Sequence, residues 1–122
     1  MIGYRVALAP MGHAFESVLI RVIESAHDLS LTLRDADIRT AAHQADLVII
    51  DGDAEGAIDQ VRLARSLGLR AVVATRLNEP RSVVTFMAAG ADACLGTRGR
   101  SRDIAAQVRL AASRATLIAE RD

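Results

Sequence analysis

The run from Ala45 to Asp53, ADLVIIDGD, ends an apolar stretch in two carboxylates separated by one glycine. Uninterrupted apolar runs of this length form strands buried on both faces of a parallel sheet, and open α/β sheets place their chemistry where such strands end. Asp51 is therefore the first candidate for a reacting or ligating group. Asp53, two residues on, and His13 are the side chains that could join it around a cation. Magnesium gives up its waters only to several hard oxygens arranged together, and His27 and His43 have no ligand-like spacing with His13. The pair of carboxylates is a poor metal site on its own, and the plain alternative is that Asp51 ends a strand and helps cap the next helix.

Three other groups could carry chemistry. The segment Gly96-Thr-Arg-Gly-Arg-Ser combines glycines, two arginines and a helix start, so its amides and cations could hold an anion; it matches neither a P-loop nor a dinucleotide fingerprint, and an exposed loop is the alternative. Cys94 is the only cysteine, and nothing in the sequence supplies the neighbour that would activate its thiol, so it reads as a small apolar group on a strand. Arg98, Arg100, Arg102, Arg109 and Arg114 bias the last loop and helix towards positive charge, which serves either an interaction surface or a solvated helix face.

The elements that must position these groups are bounded by composition. A chain of 122 residues with 51% hydrophobic and 25% charged residues suits one folded domain around one core, residues 1–122. Fifteen basic and fifteen acidic residues cancel, so no net field draws the chain to nucleic acid or to an anionic membrane. With two Phe, one Tyr and no Trp there are no base-stacking platforms, and the core must be built from Val, Leu, Ile and Ala. A single cysteine excludes an internal disulfide and fits a cytoplasmic location; no stretch has the pattern of a signal peptide or the length of a membrane span.

Periodicity then predicts five strand-helix units. Strands are expected over 4–9, 29–33, 46–51, 69–74 and 91–96, where apolar residues run together between turn formers. Helices are expected over 13–26, about 37–44, from Asp53 as N-cap to the stop at Gly68, from the Asn78-Glu-Pro turn to Gly90, and from Ser101 as N-cap nearly to the terminus. Val83, Val84, Phe86 and Met87 are expected to form the buried side of the fourth helix, and Ile104, Val108, Ala111 or Ala112, Ala115 and Ile118 that of the last. Such alternation implies an α/β fold, a three-layer αβα sandwich of flavodoxin-like (βα)5 type, with five parallel strands in the order 2-1-3-4-5. The loops after strands one, three, four and five then bring Pro10–His13, Asp51–Asp53, Thr75 and Thr97–Gly99 to one edge.

On these residues the chain resembles response-regulator receiver domains. The resemblance rests on ADLVIID with Asp51 at its end, on AVVAT with Thr75, and on GADACL at 90–95, in that order and over nearly the whole chain. It implies that Asp51 stands where receivers accept a phosphoryl group from a histidine kinase, and that Thr75 stands at the switch hydroxyl. It also implies an acidic pair after strand one to hold Mg²⁺, a lysine after strand five, and an aromatic switch residue within strand five. This chain has Pro10 and Met11, Thr97 and Cys94 at those places. The resemblance further implies an interaction surface on the fourth helix, fifth strand and fifth helix, with Arg98, Arg100, Arg102 and Arg109 on or beside it.

The expectation is an atypical receiver, not an enzyme and without cofactor, of a kind that usually belongs to larger regulators, with both an excised domain and a whole protein open. It would act by protein-protein contact, as a homodimer or on an output domain, with transcription the first output and a pilus-assembly or partitioning ATPase the second. No direct contact with nucleic acid or membrane is expected. Two rivals stand beside it. One is a phosphorylatable receiver using Asp51 and Mg²⁺; the other is a ligand-binding module with a pocket among His13, Asp51, Asp53 and the Gly96–Ser101 loop. The DGD triplet is also similar to the DxD element of metal-dependent sugar transferases, whose nucleotide-binding domain is larger than this whole chain.

Overall fold

A computed structural model describes residues 3–76, 79–98 and 100–121, with side chains described through Ser113. Five strands, β1 (Tyr4–Leu8), β2 (Leu29–Leu33), β3 (Leu47–Asp51), β4 (Arg70–Thr75) and β5 (Ala93–Gly96), alternate with five helices. These are α1 (His13–Glu24), α2 (Ile38–Gln44), α3 (Ala57–Ser66), α4 (Pro80–Ala89) and α5 (Ser101–Arg121). The strands form one parallel sheet in the order β2-β1-β3-β4-β5, as the alternation predicts.

The apolar runs are continuous because both faces of the sheet are covered and successive side chains point to opposite faces. Val6, Leu8, Leu47, Ile49, Val72, Ala74 and Leu95 face α1 and α5, whose Leu19, Val22, Ile23, Ile104, Val108 and Ala112 complete one core. Ala7, Val48, Ile50, Ala71 and Val73 face the other way, against Ile38 and Ala41 of α2, Val61 and Ala64 of α3, and Phe86 of α4. No helix among the described residues is long and apolar enough to cross a membrane.

Several boundaries differ from expectation for local reasons. Asp46 lies outside β3 because its carboxylate accepts the Arg5 N–H at 2.7 Å, so it anchors the strand instead of extending it. Asp92 does the same for β5, accepting the Ala71 N–H at 2.9 Å. The short α2 forms because Asp37 caps it, taking the Thr40 N–H and hydroxyl at 2.9 Å each; these bonds hold the Asp37 carboxyl below its ordinary range. Ser101 is the first residue of α5 and not its cap, since the Arg100 carbonyl accepts from Asp103 and Ile104 at 3.0 Å. Ala115 and Ile118 lie outside the described side chains, as does Arg114.

The fourth helix departs furthest. Glu79 is its N-cap, without a side-chain cap bond, and Pro80 opens it; the expected cap, Asn78, lies outside the described residues. Of the four apolar residues expected to be buried, only Phe86 is, at 7% exposure, whereas Val84 is 69% and Met87 42% exposed. Gly90 ends the helix at a φ of 114°, which only glycine adopts readily, and a Cβ there would stand 2.4 Å from the Arg65 side chain that lies across it.

Candidate functional site

Register brings the predicted positions to one edge of the sheet. Leu8 pairs with Ile49, and the Ala9 N–H to the Ile49 carbonyl at 3.0 Å carries that pairing one residue further, so the chain turns away at Pro10 beside the end of β3. Asp51 is the last residue of β3 and pairs with Ala74; Thr75 is the last of β4 and pairs with Gly96. Thr97 follows at once, its N–H donating to the Thr75 carbonyl at 2.9 Å. Asp51 and Thr75 thus end β3 and β4, and Pro10 and Thr97 follow the adjacent ends of β1 and β5.

Their surroundings differ. Pro10 is exposed, while Met11 is half-buried and packs back onto the core under α1 and α5. Asp51 is half-buried and its Oδ1 accepts the Asp53 N–H at 2.9 Å, closing a tight turn. That turn corrects two expectations. The third helix begins only at Ala57, with Gly56 as N-cap and no side-chain cap bond, so neither Asp51 nor Asp53 caps it. Asp53 instead reaches across to β4, where its Oδ2 accepts the Arg76 N–H at 3.1 Å.

Gly52, between the two carboxylates, continues the sheet by donating to the Ala74 carbonyl at 2.8 Å. It has no room for a side chain. A Cβ there would stand 2.6 Å from both Thr75 Cγ2 and Val73 Cγ1, and 3.2 Å from Phe86 Cε2. The Asp51 turn therefore seats directly on buried Thr75 and on the one side chain that anchors α4. Cys94, on β5 opposite Val73, is half-buried against the same side of the sheet, and burial pushes its thiol pKa up, which disfavours the thiolate.

His13 is exposed as the first residue of α1. Among the described residues no three His, Cys, Asp or Glu side chains come together as a cation site. Arg98, Arg100 and Arg102 are exposed around the start of α5. Arg109 is placed otherwise than a free surface cation: its Nη2 donates to Asp28 Oδ1 at 2.8 Å and its Nε to Oδ2, clamping α5 to the turn before β2. That charge-assisted bonding is what holds the Asp28 carboxyl below its usual range.

The edge also has a cavity, of about 450 Å³, lined by Asp53, Arg76, Glu79 and Ser82. Among the described residues that line it, only Asp53 belongs to the pocket expected from sequence among His13, Asp51, Asp53 and the Gly96–Ser101 loop. Arg76, Glu79 and Ser82 carry no motif, and only the junctions of β3 with α3 and of β4 with α4 bring them together.

Strand order, register and the converging carboxyl edge are those of the response-regulator receiver fold. No family model and no curated protein matches the sequence. Solved structures do. The signal receiver domain assigned to the response regulator NarL of Mycobacterium tuberculosis superposes with a TM-score of 0.80 at 19% identity, over 93% of this chain and 98% of that one. A LuxR-family two-component response regulator from Aurantimonas sp. SI85-9A1 gives 0.78 at 17% identity, over 91% of this chain and 86% of that one. ChrA, the response regulator of a heme-sensing two-component system, gives 0.77 at 17% identity, over 93% of this chain and 58% of that one. The chain has the receiver fold.

Proposed function

We propose that this chain is a receiver-type signalling domain, not an enzyme, that works through protein-protein contacts without accepting a phosphoryl group at Asp51. The observation that carries this reading is the pair Pro10 and Met11, which follow β1 where the chain turns away near the end of β3. Moving a phosphoryl group onto a carboxylate gathers negative charge that a divalent cation and a lysine must offset. Here an exposed pyrrolidine, a thioether folded into the core and the Thr97 hydroxyl stand at the places where the resemblance puts those groups. Asp51 also spends one oxygen on its own turn.

The interaction surface in this reading is α4 with the start of α5. Val84 and Met87 are exposed on α4 together with Arg81, and Arg98, Arg100 and Arg102 are exposed around the start of α5. Its occupant is an output domain of the same regulator or a second copy of the chain. Transcriptional control in the cytoplasm is the output favoured here, since one similar structure is a LuxR-family regulator and the ChrA chain extends well beyond the matched part.

The test is an amide-resolved NMR titration with beryllofluoride or acetyl phosphate at millimolar Mg²⁺. No saturable change is expected at Asp51, Thr75 or α4. A Mg²⁺-dependent response that Asp51→Asn abolishes would replace this reading with that of a phosphorylatable receiver.

A further inference from the structure

We infer that the cavity between the Asp51 turn and the first turn of α4 is a binding site for a small zwitterion, an amino-carboxylate such as a free α-amino acid. The inference is independent of whether Asp51 is phosphorylated, because Asp51 does not line the cavity. Among the described residues four polar side chains do: Asp53, Arg76, Glu79 and Ser82. Elsewhere in the chain opposite charges pair, as Arg5 with Asp46, Arg34 with Glu16 and Arg109 with Asp28. Among the described residues the Arg76 guanidinium, the Glu79 carboxylate and the Ser82 hydroxyl have no hydrogen-bond or ion-pair partner, although opposite charges line one cavity.

The backbone explains the separation. The Arg76 N–H holds Asp53 by Oδ2, which fixes that carboxylate on the β3 side of the cavity, while Glu79 and Ser82 belong to the start of α4 on the other. A cation and two carboxylates held apart across about 450 Å³ leave room for a ligand that bridges them. A carboxylate would take the planar fork of Arg76, and an ammonium would sit between Asp53 and Glu79. Two carboxylates against one guanidinium leave the lining at net −1, from Asp53 and Glu79 against Arg76, which disfavours inorganic phosphate. Bridging would also tie the first turn of α4 to the Asp51 turn, at the end of the one helix with a single buried side chain.

The experiment is an amide-resolved NMR titration of the intact chain with the common α-amino acids one at a time, beside acetate, methylammonium and inorganic phosphate. At least one amino acid is expected to give saturable shifts at Asp53, Arg76, Glu79 and Ser82, while the three probes that carry charge of one sign only give none. Arg76→Gln and Glu79→Gln, both at exposed positions, are each expected to weaken that binding by about tenfold with the rest of the spectrum unchanged. Failure of every amino acid to saturate would overturn the proposal. So would an equal response to acetate or phosphate, which marks a plain anion site, or to methylammonium, which marks a plain cation site. Beryllofluoride added to a separate sample reports on Asp51 alone, so loss of one reading leaves the other standing.

Discussion

Asp28 and Arg109 are 81 positions apart and meet in a two-bonded ion pair that fastens the last helix to the turn before β2. The pair contributes only while Asp28 is ionised, and its carboxyl lies lower folded than unfolded. Its stabilisation is therefore complete above the unfolded value of about 3.9 and is lost as pH falls through the lower folded value. Asp28→Asn is expected to cost about 1 kcal/mol at neutral pH, a modest figure because the guanidinium is partly exposed to solvent and salt. Urea unfolding across pH checks this: the gap between the two proteins should close below about pH 4. A gap that persists in more acidic solution would mean that packing, not charge, makes the contact. Nothing in the sequence announces this pair, because neither residue falls in a motif and their meeting depends on the whole fold.

At the scale of elements, α4 is the helix least secured to the body. Its ten residues include three β-branched side chains in succession, Val83, Val84 and Thr85, and bury only Phe86, whereas α1 buries Leu19, Val22 and Ile23. Hydrogen exchange is expected to be faster in α4 than in α1. Phe86→Ala should cost about 3 kcal/mol and strip α4 of its remaining protection, whereas Val84→Ser should change stability by less than about 0.5 kcal/mol. Equal losses from both substitutions, measured by chemical denaturation, would contradict the burial described for the helix. The sequence shows that a helix lies here, since Pro80 opens it and Gly90 closes it. It does not show which arc meets the sheet: Val83, Val84, Phe86 and Met87 sit within one turn of each other, and only the position of Gly52 reveals that Phe86 has a seat.

For the molecule as a whole, the five alternating units, the parallel sheet and its order were legible because parallel strands are apolar on both faces and helices begin and end at recognisable residues. The converging edge was legible too, since strand ends follow from strand order. What stayed hidden were contacts across loops, such as Asp53 with the Arg76 amide, and the cavity that those contacts hold open. Loop side chains have no period, so spacing carries no information about where they meet.

The packing of the sheet has one more consequence. Val6, Leu8, Leu47 to Ile50 and Val72 to Ala74 hold it together, and none of them is a residue whose chemistry was in question. Of the edge positions to be changed, Pro10 is exposed and Met11 and Thr97 are only half-buried, so most of the frame lies apart from them. Pro10→Asp, Met11→Asp and Thr97→Lys together are expected to give a folded protein that acetyl phosphate labels at Asp51 in the presence of Mg²⁺. Its thermal midpoint should fall by about 4–8 °C, mostly from the carboxylate placed at half-buried Met11. A folded triple variant that stays unlabelled would show that more than three side chains separate this edge from a working one. In the proposed reading the frame and the chemistry of its edge are specified by separate sets of residues, so one can change while the other stays.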